Sequence, residues 1–253
     1  MPDLRLIRAD FLKLRRRRGM LTLTVLGTLG VVVLVYTVLA LQHAADPAKH
    51  GPAGGLENYQ GAIQTVGLLA LIAGVIVGGT AGTQDLESGV FRDLVATGRR
   101  RSVLFLSRAA GALAVVIPIV LVTAIVTAAG AIALRDGLPA PSGATLIAGT
   151  ALVLVAGALS AAVAVGVSAV VGSRGPVIGI LLAFFLGITP LLEVIGLLGD
   201  TRQLIPEVAL YRIGHLATPA GVHVGLGTAI AVVVAWIAVS LAAGAWRTKT
   251  REI

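Results

Sequence analysis

Six long apolar segments, separated by shorter polar stretches, dominate the hydropathy pattern of this chain. None of the six contains an Asp, Glu, Lys or Arg residue. The segments are 19–42, 61–83, 109–134, 144–172, 176–192 and 222–246. An apolar α-helix of about 20 residues crosses the hydrocarbon core of a bilayer, and all but the fifth segment reach that length. The pattern therefore predicts six transmembrane helices.

The fold class follows from the chemistry of the bilayer. Because no water is present there, backbone N–H and C=O groups must be bonded within each segment, and the alternating period of a membrane β-barrel is absent. Charged residues make up 13% of the chain, against roughly 25% in soluble domains. The polar stretches 1–18, 84–108 and 198–221 are too short to bury a core. We predict an all-α integral membrane protein with one transmembrane domain, 1–253.

Basic residues in such a chain indicate topology before nucleic-acid binding, despite a net charge of +8. If the N-terminus is cytoplasmic, 16 of the 20 Lys and Arg residues lie on the cytoplasmic side. Both termini are therefore predicted to be cytoplasmic. Segment 19–42 is too long for the core of a cleavable signal peptide, so we expect it to remain as an anchor. The chain has no cysteine, which excludes disulfides and thiolate metal sites.

The N-terminal segment has the pattern of an amphipathic helix lying in the membrane interface. Its apolar residues recur at helical spacing. They are Leu4, Ile7, Phe11 and Leu14. The basic run Arg15, Arg16, Arg17 and Arg18 then anchors the first span to anionic headgroups. Two interpretations stay open: a signal that only fixes topology, or a helix that also contacts a cytoplasmic partner.

The 84–108 loop has the pattern of a short amphipathic helix. Asp85 and Glu87 are expected at its start, where they complement the helix dipole, and Gly98 at its end. Its apolar residues form one stripe with two neighbours. They are Leu86, Val90 and Leu94, with Phe91 and Val95 beside them. Such a helix rests on the membrane or docks into a groove of another protein, and spacing alone favours the membrane.

The same loop resembles a known family. Glu87-Ser88-Gly89, Phe91-Arg92-Asp93-Leu94-Val95, Gly98-Arg99 and Arg101-Ser102 resemble the loop between spans two and three in permeases of the type-two ABC exporter family. The six-span layout, with both termini inside and a longer outer loop before the last span, is similar to that family too. This resemblance changes the preference from a membrane-resting helix to one that docks on a partner.

The resemblance implies a coupling helix that sits in a cleft of a P-loop ATPase subunit. By position, ATPase coupling falls on Asp85, Glu87, Val90, Phe91, Arg92 and Leu94. It further implies an N-terminal helix packed along the ATPase, two ATPase copies, and a second six-span permease that is the same chain or a homologue. The outer 198–221 loop would be partly re-entrant, and an ordinary surface helix fits its periodicity equally well.

Motifs for catalysis are absent from the sequence. No Gly-Lys dipeptide occurs, so the phosphate loop must belong to a separate polypeptide that uses ATP and Mg²⁺. HExxH and GxSxG motifs are also absent, and His43 and His50 are expected to be solvated. We predict no catalytic residue, bound cofactor or metal in this chain.

Energy coupling narrows the functional hypotheses. Ion-coupled carriers place ionisable residues near the bilayer midplane, and no apolar segment here has one. The leading hypothesis is an ABC permease that exports a drug-like, peptide or lipid cargo from a bacterial cytoplasmic membrane. The alternative is a scaffold or assembly factor that recruits a cytoplasmic partner through the same loop.

Two residue-level predictions complete the analysis. Gly74, Gly78 and Gly82 repeat every four residues and are candidate helix-packing positions, within one subunit rather than at a dimer seam. Glu193 is the acid nearest to a span core. Its position at the outer interface is favoured over a substrate contact.

Overall fold

The computed structural model describes residues 4–90, 98, 100–219 and 222–250, and every regular element among them is helical. The N-terminal helix is α1 (Leu4–Arg16). The apolar helices are α2 (Arg18–Ala45), α3 (Leu56–Glu87), α4 (Arg101–Ala133), α5 (Gly143–Val171) and α6 (Arg174–Val194), followed after a connection by α8 (Leu226–Thr250). That connection contains a 3-10 helix (Gly196–Leu204) and α7 (Pro206–Ile213). The all-α class and the six helices able to span a membrane are thereby confirmed.

The helices extend beyond the charge-free segments, and this changes the 84–108 loop. Helix α3 continues to Glu87 and α4 begins at Arg101, so only residues 88–100 connect them. Asp85 and Glu87 therefore end α3, and the prediction that they begin a short helix is wrong. The helix stops where Gly89 adopts a left-handed backbone with a φ of 73°, which favours glycine.

Helix α5 is the centre of the bundle and packs against α3, α4 and α8. In its apolar window 72% of the residues are buried, against 17% for α8. The contact with α3 is close because Gly74, Gly78 and Gly82 face α5. A Cβ atom at Gly78 would lie 2.9 Å from the Cα of Ala161. These glycines therefore pack within the subunit.

Helices α2, α6 and α8 have wide apolar faces that are exposed in the single chain. Leu34, Ile180 and Val234 retain 62%, 54% and 57% of their accessible surface. An apolar surface this extensive is stable only against lipid or another apolar protein. These faces are therefore available to lipid or to another apolar protein surface.

The 196–213 region packs onto the bundle instead of forming a free loop. Pro206 occupies the first turn of α7, where its missing N–H has no helical partner to lose. Val208, Ala209 and Leu210 are fully or almost fully buried, with α7 lying against α8 and α5. The Trp236 indole of α8 also donates a hydrogen bond to the Leu204 carbonyl over 3.1 Å. This region closes the end of the bundle opposite to α1.

Candidate functional site

Helix α1 lies across the end of α4, next to the point where the 88–100 loop enters that helix. The two helices approach closely at Gly111, where a Cβ atom would lie 2.9 Å from the Asp10 Cβ. A larger residue at this position would separate them. The close approach brings the polar side chains of α1 to the ends of α3 and α4.

Those side chains form an ion-paired group, which we term the polar cluster: Asp10, Lys13, Asp85, Ser107 and Arg108. The Lys13 Nζ atom lies 3.2 Å from Asp10 Oδ1 and 3.2 Å from Asp85 Oδ1. Arg108 Nη2 lies 3.2 Å from Asp85 Oδ2. The Ser107 hydroxyl donates to Asp10 Oδ2 over 2.7 Å. Asp85 therefore joins α1 to α3 and α4 through both of its oxygens.

Asp85, Ser107 and Arg108 of the polar cluster are buried, the Lys13 side chain is 36% exposed, and the charges of the cluster are balanced. Asp85 is 5% exposed and Arg108 is 4% exposed. Burying one such charge alone costs several kcal/mol, so the two acids and two bases are stable here only as a group. The adjoining cavity measures about 10 Å³, room for about one water. The arrangement is suited to holding helices together rather than to binding a ligand.

A second contact ties the loop to α6. The Glu87 carboxylate accepts a hydrogen bond from the Arg174 backbone N–H over 2.6 Å. Arg174 is the first residue of α6, so the negative charge lies at the positive end of the helix dipole. The start of the loop is thus connected to α1, α4 and α6 within three residues of α3.

The remaining residues predicted to couple to an ATPase are mostly beyond these contacts. Val90 is 41% exposed. Phe91, Arg92 and Leu94 lie outside the described residues. Asp85 is buried, so it holds the start of the loop through its ion pairs and is not accessible to a partner protein.

The basic run lies where α1 meets α2. Arg15, Arg16, Arg17 and Arg18 are all exposed. The helix is interrupted at Arg17, whose φ and ψ are −80° and 72°. The break separates α1 from the first span, and the four guanidinium-bearing residues are at the surface.

The histidine pair considered in the sequence analysis makes contacts of its own. His43 Nδ1 lies 2.7 Å from the His50 carbonyl oxygen, and Nε2 lies 3.1 Å from Asp136 Oδ2. Within the described ranges, no group of three or more His, Cys, Asp or Glu side chains is arranged to hold a metal ion.

Sequence reasoning missed the polar cluster because its members are far apart in the chain. Lys13 and Asp85 are separated by 72 positions, and the charge pattern of the sequence indicates only a topological role for basic residues such as Arg108. One signal was available. Asp10 and Lys13 lie three residues apart on one face of a predicted amphipathic helix, as expected for a polar contact between helices.

The comparisons with known proteins agree with this layout. The family described as ABC-2 family transporter protein matches residues 6–190, a range that contains most of α1, all of α2 to α5, most of α6 and the whole polar cluster. The chain belongs to the ABC-2 transporter family. No curated protein matches it in a sequence comparison. Membership of the ABC-2 family implies an ABC transporter permease, with a partner ATPase, and its six helices make the chain a multi-pass membrane protein.

Proposed function

We propose that this ABC-2 protein is the permease subunit of an ATP-driven exporter in a bacterial cytoplasmic membrane. Two P-loop ATPase subunits dock on its cytoplasmic side, which carries both termini and the 88–100 loop. A second six-span permease, the same chain or a homologue, completes the membrane pathway. ATP and Mg²⁺ are bound by the ATPase subunits.

The polar cluster is the observation that supports this proposal most directly. Asp85 lies in the last turn of α3, before the 88–100 loop, and Arg108 lies about two turns into α4, after the loop; the two side chains pair over 3.2 Å. A force on the loop therefore acts on α3 and α4 together, and Lys13 includes α1 in the same movement. Because α3 packs closely on α5 along its glycines, the movement reaches the centre of the bundle.

The exposed surfaces of the chain support the proposed cargo class. The exposed faces of α2, α6 and α8 are apolar, and aromatic residues are only 4% of the chain. Sugar sites need aromatic platforms and many hydrogen-bonding groups, whereas hydrophobic or amphipathic molecules need mainly apolar walls. Drug-like, peptide or lipid cargo is therefore favoured.

The test is co-purification of the tagged chain with a P-loop ATPase from its native membrane. The variant carries Phe91→Asp and Leu94→Asp, two residues chosen from the sequence pattern of the loop. We expect it to insert normally and to lose bound ATPase at least about tenfold, as when apolar interface anchors are removed. Leu197→Asp is the control, because Leu197 is 99% exposed and belongs to the opposite end of the bundle.

Each outcome has a distinct meaning. An ATPase that is retained by the control, lost from the loop variant and stimulated by the native chain supports the permease. Co-purification of other proteins without an ATPase would support the scaffold alternative. ATPase binding that is unchanged in the loop variant would contradict docking at 88–100.

A further inference from the structure

A second polar site lies at the end of the bundle opposite to the polar cluster. Along α3, Gln64 and Asp85 are separated by 21 positions, or roughly 30 Å of helix. Here residues of α3, α5 and α7 line a partly open cavity of about 230 Å³. Its walls combine six apolar or small residues with four polar ones. The polar residues are Gln64, Thr65, Glu207 and Tyr211.

Glu207 is the unusual member of this cavity. It is 5% exposed. The Thr189 hydroxyl donates to its Oε1 atom over 2.7 Å, whereas its Oε2 atom accepts no hydrogen bond from the described residues. A buried carboxyl oxygen without a donor is costly, and because Glu207 is one of the residues that line the cavity, a ligand bound there can supply the missing donor.

Neighbouring groups leave the negative charge of Glu207 without a cation. No Lys or Arg nitrogen of the described chain lies within ion-pair distance of it. Arg202 is nearby in sequence, but its guanidinium donates to the carbonyls of Gly199 and Glu193. Helix α5 has no charged residue, and α8 has none before Arg247.

A second acid close to Glu207 strengthens the same potential. Glu193 also has a buried oxygen, Oε1, without a hydrogen-bond donor among the described residues. It lies close enough to act electrostatically on Glu207 and Tyr211. Burial is the main cause that raises the pKa of Glu207 to about 7, and the Glu193 charge adds to it. A cation that entered the cavity would favour the ionised carboxylate.

We propose that this cavity binds the cationic head group, a primary ammonium or a guanidinium, of an amphipathic cargo. The proposal rests on the proposed function and names its substrate class. A cavity of about 230 Å³ is smaller than the roughly 300–1,000 Å³ of drug-sized pockets, so it fits a head group and not a whole amphiphile. The Glu207 carboxylate accepts the charged donor, and Leu71, Leu152 and Leu210 line the same cavity around the adjoining carbon atoms.

The open side of the cavity allows the apolar tail of the cargo to remain outside the cavity. Gln64, Thr65 and Leu68 lie on one face of α3 and line the cavity while remaining exposed in the single chain. Leu68 keeps 43% of its accessible surface. An apolar tail attached to the bound head group would leave along this face, towards lipid or a second permease unit.

Equilibrium binding of tritiated 4-phenylbutylammonium to the full chain in lipid nanodiscs tests the site, with neutral 4-phenylbutanol as the matched probe. At pH 7.5 we expect the native chain to prefer the ammonium. Glu207→Gln should weaken ammonium binding by about tenfold or more, the range of a charge-assisted hydrogen bond, and leave the alcohol unchanged. Gln can still accept from Thr189, so the fold should persist. Glu57→Gln, an exposed acid on α3, is the control.

A second variant covers failure of Glu207→Gln to fold. Leu68→Trp alters only the exposed mouth and should reduce binding of both probes by occupying the cavity. Ammonium binding that is equal in native, Glu207→Gln and Leu68→Trp chains would overturn the proposal. The assay needs no ATPase, so Glu207-dependent binding together with absence of a co-purifying ATPase would refute the transport role and keep the site. Co-purification of an ATPase together with ammonium binding that does not depend on Glu207 would support the transport role and refute the site.

Discussion

Individual charged side chains carry the most specific information in this ABC-2 protein, because a membrane helix buries a charge only where another chain segment compensates it. Asp85 has the cations Lys13 and Arg108 as partners, whereas the side chain that contacts Glu207 among the described residues is the neutral Thr189 hydroxyl. The first residue therefore stabilises the fold as a paired ion. The second one costs stability when it is ionised.

The pairing of Asp85 predicts strong coupling between substitutions. Asp85→Asn leaves Arg108 buried with one counter-ion fewer and should lower stability by about 3–5 kcal/mol. The double variant Asp85→Asn with Arg108→Gln retains the Asp10–Lys13 pair and should lose clearly less than the sum of the two single changes. Thermal unfolding in nanodiscs provides the measurement.

A control variant separates the effect of burial on stability from the effect of ion pairing. Asp136 also forms an ion pair, with His43 over 3.1 Å, but its side chain is 73% exposed. Asp136→Asn should therefore change stability by less than about 1 kcal/mol. Strict additivity of the Asp85 and Arg108 substitutions would show that the two residues do not act as a unit.

The raised pKa of Glu207 predicts a pH-dependent effect. Because the folded pKa, about 7, exceeds the ordinary value of 4.5, the carboxyl binds a proton more tightly in the folded chain. Its stabilising contribution is complete below pH 4.5 and is lost as the pH rises through 7. Glu207→Gln removes this loss, so its Tm should exceed the native Tm at pH 8 and approach it at pH 5. The neighbouring groups Glu193, Arg202 and Tyr211 are present in both the native chain and the variant, so they do not account for a difference between the two. A Tm difference that is the same at pH 5 and at pH 8 would contradict a raised pKa for Glu207.

At the scale of whole helices, the charge-free segments were sufficient to predict the six spans, because the bilayer permits few alternatives to an apolar helix. They could not predict where the helices end. Helix α3 continues to Glu87 because Lys13 and Arg108, from distant parts of the chain, compensate Asp85. Separation along the chain also prevented prediction of the candidate sites. Glu207 belongs to α7 and lines a cavity whose other walls come from α3 and α5. No local sequence pattern indicates that these helices meet there.

The contact between α3 and α5 predicts a difference between two glycines of one helix. A Cβ atom at Gly78 would lie 2.9 Å from both the Ala161 Cα and the Ala164 Cβ, whereas at Gly61 it would meet nothing within 4 Å. Gly78→Ala should therefore lower the Tm by several degrees through separation of the two helices. Gly61→Ala, in the same helix, should not lower it. Equal effects would indicate that helix propensity, and not close packing, controls this position.

Considered as a whole, the molecule keeps its buried charges near the two ends of the bundle and none in the middle of its apolar segments. The polar cluster joins the loop to α1, α3 and α4, and Glu207 faces the cavity roughly 30 Å away along α3. An ion-coupled carrier needs ionisable groups at the midplane. This distribution therefore favours a transporter that receives its energy through the loop.

The purified complex with its ATPase, sealed in proteoliposomes, tests this energy source. A pump that moves protons or sodium builds a gradient that slows its own ATP hydrolysis, so collapsing the gradient stimulates such an enzyme. Hydrolysis by this complex should not change on addition of a protonophore or a sodium ionophore, and Glu207→Gln should respond as the native complex does. Stimulation in the native complex that disappears in Glu207→Gln would instead assign proton movement to the buried acid. The two results differ because a cargo-binding carboxylate affects affinity, whereas a proton carrier must release its proton across the membrane in every cycle.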